Sequence, residues 1–269
     1  MMQNPYEIKD VILKVENVNL AYSNRKILRD VNFEIHDVVR PNMTQGQIAS
    51  FIGRSGIGKT QLFKILAGLN EPNSGTVKID IDLHPVKAGE VGVVYQNYIL
   101  FNHRTIFDNL RLGLDFSGQK LTSAQKFDII KDYAQKFDLS EHLKKYPMQL
   151  SGGQKQRVSI IQQILTGNKF ILLDEPFSGL DMIMVDKVIE LLNKIACTHE
   201  YNTLIIVSHD VASALAISDT VFLMGNEPGK EGATIIQKID MMSLGLAWEP
   251  EIRTKPEFHK LIVDIKDKI

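Results

Sequence analysis

The 269-residue chain has a single cysteine, Cys197, so no internal disulfide can form and the compartment reads as reducing. Cys197 falls in a helical-looking stretch, where it reads as a small buried apolar residue. A surplus of charge is missing too. The 31 Lys and Arg stand against 32 Asp and Glu, a formal net charge of -1, which excludes both a bulk basic field for nucleic acid and an acidic tail. Long apolar runs are absent: Leu204 to Val207 falls far short of the roughly 20 residues that span a bilayer. The amino terminus carries Glu7, Lys9 and Asp10 rather than a signal peptide's apolar core, so any membrane role is expected to come through a partner. Internal repeats and low-complexity segments are lacking as well, and the length suits one large domain with a substantial core.

From Val11 to Ile35 apolar residues alternate, first Leu13, Val15, Val18 and Leu20 and then Val31, Phe33 and Ile35, as in short strands of an antiparallel β flank. His36 to Gly46, with Pro41, reads as a loop before an apolar strand at Ile48 to Ile52. A glycine-rich turn follows, then Leu62, Ile65, Leu66 and Leu69 at helical spacing. Val77, Ile79 and Ile81 alternate again, and Val91 to Tyr95 reads as a strand ending at Gln96 and Asn97. The middle third is helical: Thr122 to Gln125 matches a capping box, with Phe127, Ile130, Ala134 and Phe137 along one face. Residues from about 97 to 165 are therefore expected to form a helical subdomain inserted between strands. Next come strand Phe170 to Leu173, helix Asp181 to Cys197 with Val185, Val188, Ile189, Leu192 and Ile195 on one face, strand Leu204 to Val207 and helix Val211 to Ile217. Strands alternating with helices predict an α/β fold, a mostly parallel sheet with helices on both faces. The tail from Trp248, with Pro250 and Pro256, is too short for another domain, so residues 1–269 are expected to form one.

Residues 53–60, Gly-Arg-Ser-Gly-Ile-Gly-Lys-Thr, have the spacing of a phosphate loop between a strand and a helix. Glycines let successive N–H groups aim at phosphate oxygens, and the helix that follows presents its positive end. Lys59 would place a charge on the β and γ phosphates and Thr60 a hydroxyl on magnesium. The strand at Phe170 ends in Asp174 and Glu175, where an open α/β sheet exposes its ligand-facing edge. Neighbours on a strand point to opposite sides, so Asp174 is assigned to magnesium and Glu175 to the attacking water. Leu150-Ser-Gly-Gly-Gln-Lys-Gln-Arg157 precedes another amphipathic helix, with Ser151 as its cap and Gly152 and Gly153 leaving N–H groups uncovered. This second anion-binding helix start suggests service to a nucleotide held by another copy.

These segments, with Leu-Leu-Asp-Glu-Pro and Ser208-His209-Asp210, occur in the order and approximate spacing of an ATP-binding cassette (ABC) ATPase, which the chain resembles from about Asp10 to Leu223. The resemblance implies a P-loop nucleoside-triphosphatase core, ATP and Mg2+ as ligands, and two cassettes paired head to tail. Ser151, Gly152, Gly153 and Gln154 would then face the ATP of a second ATPase subunit, expected to be an identical copy, and Asp181 would link the two sites. On the same chain ATP would meet the loop residues Gly53, Arg54, Ser55, Gly56, Ile57, Gly58, Lys59 and Thr60 and the following Gln61. Tyr22 matches the aromatic that stacks on adenine, Gln96 the glutamine that touches magnesium, and His209 the switch histidine near the γ phosphate. Catalysis would thus rest on Glu175, His209 and Lys59, with Thr60, Gln96 and Asp174 around the metal.

With no span of its own, such a cassette would sit on the cytoplasmic face of a membrane beside separate permease subunits and a solute-binding protein, as in bacterial importers. The Asn97 to Phe101 and Thr105 to Leu110 segments resemble the part that lies against the permease. Pro228-Gly229 and Lys255-Pro-Glu-Phe258 resemble the carboxy-terminal part of nitrate, sulfonate and taurine importer ATPases. A soluble assembly ATPase and a lipid or lipoprotein exporter are the alternatives. Three features depart from the family: the long His36 to Gly46 connection, read as a partner-contacting insertion or a neutral loop, Arg54 in the phosphate loop, and Gln61 where a small hydroxyl residue is common.

Overall fold

The computed structural model describes residues 6–39, 46–197 and 203–269. Ten strands form one sheet in the order β5-β4-β1-β2-β10-β9-β3-β8-β7-β6. Its core is β3 (Gln47–Ile52), β6 (Val91–Val94), β7 (Phe170–Asp174), β8 (Thr203–Ser208) and β9 (Thr220–Asn226), whose neighbours pair in parallel. All six residues of β3 are buried. Alternation sends Ile171, Leu173, Leu204 and Ile206 to one face, against α4 (Gly152–Leu165) and α5 (Met182–Ala196). Leu172, Ile205, Val207 and Phe51 go to the other, around α1 (Lys59–Leu66). Both faces of a parallel sheet must be covered, and the near-continuous apolar runs of these strands are the sequence form of that requirement.

The antiparallel flank is larger than the alternation suggests. β1 (Glu7–Tyr22) and β2 (Arg25–Val39) are long paired strands, extended by β4 (Ser74–Ile79) and the short edge β5 (His84–Pro85). The inward set changes parity, from Leu13 and Val15 to Val18 and Leu20, because the register shifts between Val15 and Val18, where Asn17 has φ 51°. The side chain of Asn32 accepts the Asn17 N–H at 2.8 Å, so the irregularity leaves no orphan donor there. The loop expected from His36 is corrected at its start: His36 and Val38 pair with Val11 and Ile8, and only beyond Val39 does the connection, with Pro41, pass outside the described residues. Phe33 of β2 packs on Phe51 and Phe222 with ring centroids 4.9 and 5.0 Å away, which curls the flank over α1. Yet β2 meets its other neighbour, β10 (Ala233–Asp240), at one paired position, Leu28 with Ala233.

Between β6 and β7 lie α2 (Ile106–Phe116), α3 (Ser123–Lys136) and α4. The Thr122–Gln125 capping box forms, and Ile130, Ala134 and Phe137 are buried, but Phe127 is exposed beside Phe107. Leu69 and Ile81 are exposed as well, because α1 stops at Leu66 and Asp80 (φ 64°) turns the chain out of β4. Cys197 is also exposed, contrary to expectation: it follows α5 and lies off the stripe of Val185, Val188, Leu192 and Ile195. After α6 (Val211–Ile217), the tail is structural. α7 (Pro256–Lys266) buries Phe258 and Ile265 in a cluster with Ile52 and Leu223. No helix among the described residues is long and apolar enough to cross a membrane.

Asp219 ties these parts together. Buried at the start of β9, its carboxylate accepts the Ile48 N–H and the Trp248 indole N–H, each at 2.8 Å. Asp219→Ala strands both donors, so urea unfolding should show a loss of about 2–4 kcal/mol.

Candidate functional site

The ligand-facing elements sit at the carboxyl ends of β3, β7 and β8, where the parallel core opens. The phosphate loop leaves β3 and enters α1 at Gly58, whose φ of 117° suits glycine and where a Cβ would lie 3.1 Å from Leu28. No side chain caps this helix and its first turn carries no acid, so its positive end stays open to an anion. Close by is a cavity of about 470 Å³ lined by residues that include Ser55, Gly58, Lys59, Thr60, Gln96, Asp174, Glu175 and His209. Tyr22, Gly56 and Gln61 line it too, as do three residues that sequence reasoning passed over, Arg25, Ile27 and Ser178. Ser178 opens the run Ser178-Gly179-Leu180-Asp181 that ends in the expected Asp181, and was within reach of the motif; Arg25 and Ile27 carry no signal before the flank is folded over the loop.

Lys59 is buried at 5% exposure and donates to the main-chain oxygens of Gly53 and Arg54 at 2.9 and 3.1 Å. Its ammonium lies 3.7 Å from the Glu175 carboxylate. Burial pulls the Lys59 pKa below the usual lysine value, and the charge of Glu175 works against that pull. Glu175 adopts φ 50°, a conformation rare outside glycine, with its N–H on Val207 O at 2.8 Å. Its Oε2 accepts the His209 main-chain N–H at 3.1 Å and the Ser208 hydroxyl at 3.3 Å, and lies 2.8 Å from His209 Nδ1. Cation, carboxylate and imidazole thus engage one another.

Asp174 is half-buried, its Oδ1 is buried with no hydrogen-bond partner, and its pKa is raised by burial and by the neighbouring Glu175. An orphaned carboxylate oxygen sharing a cavity with the Thr60 hydroxyl and the Gln96 amide is an oxygen-donor set that fits Mg2+. Gln96 also donates to Ser178 Oγ at 3.1 Å, joining the ends of β6 and β7. The Tyr22 hydroxyl donates to Gln61 Oε1 at 2.9 Å and accepts from Asn70 at 3.0 Å, so the residue that departs from the family at position 61 anchors the aromatic ring to α1. A small hydroxyl residue lacks that reach.

The other expected residues stand apart. Gly53 and Ile57 are not among those lining this cavity, and the exposed Arg54 turns its guanidinium to the Ile269 main-chain oxygen. Ser151, Gly152, Gly153 and Gln154 begin α4, and Asp181 caps α5 through the Met184 N–H at 2.9 Å; none lines the cavity. A Cβ on Gly153 would lie 3.5 Å from Met184, so these two helix starts are neighbours. One copy therefore presents a nucleotide-sized cavity and, separately, an exposed pair of helix starts.

Residues 37–178, just over half of the chain, match the family model described as ABC transporter. The chain belongs to the ABC transporter family. Among curated relatives of this cassette, the sulfate/thiosulfate import ATP-binding protein CysA of Pectobacterium atrosepticum is 33% identical over 220 residues, 79% of this chain and 63% of that protein. The bicarbonate transport ATP-binding protein CmpC of Synechococcus elongatus is 36% identical over 193 residues, 72% of this chain and 29% of that one. The cassette thus spans less than two thirds of the length of these relatives. Among solved structures, cbiO1 from Clostridium perfringens, part of the ABC transporter complex cbiONQ, has a TM-score of 0.74 at 25% identity, covering 94% of this chain and 99% of that one. The fold is that of an ABC-type P-loop nucleoside triphosphatase.

Because Asp174 is half-buried beside another acid, Asp174→Asn should make the ligand-free cassette more stable while removing the part of ATP binding that depends on magnesium. Each kcal/mol regained is expected as a rise of about 2–4 °C in thermal midpoint, measured with and without Mg-ATP.

Proposed function

We propose that the chain is the ATP-binding and hydrolysing subunit of an importer for a small solute of the nitrate, sulfonate or taurine kind. The observation that carries the ATPase part is the convergence of the phosphate loop, Asp174, Glu175 and His209 on one cavity, with a metal-sized demand left at Asp174 Oδ1. Lys59 and the open start of α1 hold the phosphates, Tyr22 offers its ring to the base, and Thr60, Gln96 and Asp174 hold Mg2+. The ion neutralises phosphate charge when bound. Phosphates compete with Glu175 for Lys59, and the carboxylate so released orients water in line with the γ phosphate, with His209 holding its other oxygen.

Residues 1–269 act in this reading as one cassette, with a helical unit over about 97–165. A second copy supplies Ser151, Gly152, Gly153 and Gln154 to the open side of the ATP, and Asp181 stands between the two sites. The pair sits at the cytoplasmic face of the membrane against permease subunits, with a solute-binding protein delivering cargo. Membership of cbiO1 in a transporter complex, the import name of CysA and the transport name of CmpC support this assignment, and the sulfate, thiosulfate and bicarbonate of those two names are small anions.

Glu175→Gln keeps the ligand shell but not the base. It should bind ATP with near-normal affinity while steady-state hydrolysis falls by about 10²–10⁴. Undiminished phosphate release would remove Glu175 from this role. The same variant, tagged and recovered with ATP from detergent-solubilised native membranes, should bring a multi-span permease in stoichiometric amount; recovery of soluble proteins alone would sink the transport assignment.

A further inference from the structure

The start of α4 is held by a side chain from outside the Leu150 to Arg157 segment. Ser151 and Gln154 form a reciprocal box: Gln154 Oε1 accepts the Ser151 N–H at 2.9 Å, and Ser151 Oγ accepts the Gln154 N–H at 3.3 Å. With its oxygen committed to a backbone donor, the Gln154 amide must turn its NH2 toward His142 Nε2, 3.0 Å away. The other ring nitrogen, Nδ1, lies 2.9 Å from the Lys145 ammonium, which can only donate. A neutral imidazole has one lone-pair nitrogen and one N–H, so it cannot accept from both neighbours at once. Two arrangements therefore compete. In one, Nε2 accepts from Gln154 and the box stays closed. In the other, Nδ1 accepts from Lys145, Nε2–H donates to a rotated Gln154 oxygen, and the Ser151 N–H is set free.

We propose that His142 is a positioning residue for the start of α4, and that its competition between Lys145 and Gln154 decides whether the Ser151 N–H is closed in the box or open to a phosphate. The inference rests on the reading of Ser151 as a contact for ATP held by a second copy. The surrounding main chain makes this a braced device. Lys145 O and Leu143 O accept the first N–H groups of α2, Ile106 at 2.8 Å and Phe107 at 2.9 Å, so the turn carrying His142 is tied to one helix start while its side chain acts on another. The capping box stabilises α4 and leaves the Gly152 and Gly153 N–H groups uncovered but holds back the Ser151 N–H; a second acceptor arrangement for Gln154 adds that donor without unwinding the helix.

The test uses the full chain and four variants. His142→Ala removes the open arrangement and Lys145→Met removes the donor that favours it, so kcat for ATP hydrolysis should fall, by roughly five- to ten-fold in His142→Ala and by about two- to five-fold in Lys145→Met. Fluorescent-ATP binding by the single subunit, which uses the separate cavity, should stay within about two-fold of wild type. His142→Gln can accept from Lys145 and donate to Gln154 together, and should restore kcat. Wild-type kcat in His142→Ala and Lys145→Met, or a loss in His142→Gln equal to that in His142→Ala, would overturn the proposal, as would a parallel loss of ATP binding. Ser151→Arg separates the two levels: if it leaves hydrolysis intact, the reading of Ser151 as a cross-copy contact falls; if it abolishes hydrolysis while His142→Ala and Lys145→Met do not, the positioning role alone falls.

Discussion

The buried ammonium of Lys59 is the constraint to which the rest of the site answers. A cation at 5% exposure is tolerated only when it is hydrogen-bonded and neutralised. Gly53 O and Arg54 O supply the hydrogen bonds, and Glu175 supplies the charge. Meeting that demand from β7 requires the chain to turn sharply after Asp174, and the positive φ of Glu175 is the local form of the turn. Its carboxylate then needs partners on β8, which Ser208 and His209 provide. In the proposed reading, a phosphate that brings its own negative charge to Lys59 would loosen this whole set at once.

The fold delivers these groups by ordinary means. β3, β7 and β8 pair in parallel, so strand pairing alone brings their carboxyl ends to one edge of the sheet. Burial of Leu62, Phe63, Ile65 and Leu66 fixes α1 between the core and the curled flank, which holds the helix start where the loop leaves β3. The carboxy-terminal helix secures the opposite face through Phe258 and Ile265.

Much of this was written locally and could be read so. The phosphate loop, the acidic end of β7 and the Thr122 and Ser151 caps depend on neighbours three or four residues away, and each lies where the spacing puts it. What escaped depends on distant partners. The strand character of His36 to Val39 comes from pairing with residues near the amino terminus, and the positions of Leu69, Ile81 and Cys197 come from where elements stop rather than from their apolar character. β9 and β10, which no expectation covered, form an antiparallel pair whose inner face makes sense only once β3 lies beside it. At the site, the bond from Tyr22 to Gln61 spans 39 positions, and His142 reaches Gln154 across a turn that shows no motif.

The thin pairing between β2 and β10 gives the sheet a mechanical seam. The aromatic ring of Tyr22 belongs to the flank on one side, and the phosphate loop belongs to the core on the other. Backbone hydrogen bonding is sparse at the join, so the two sides are held by packing around α1, by the Tyr22–Gln61 bond, by the Arg29–Glu227 ion pair and by the Thr234 hydroxyl on the Asp30 main-chain oxygen. In the proposed reading, a nucleotide reaching from the ring to the loop would work as a tie-rod across that seam, stiffening the sheet where its own ladder does least, and its departure would return the slack.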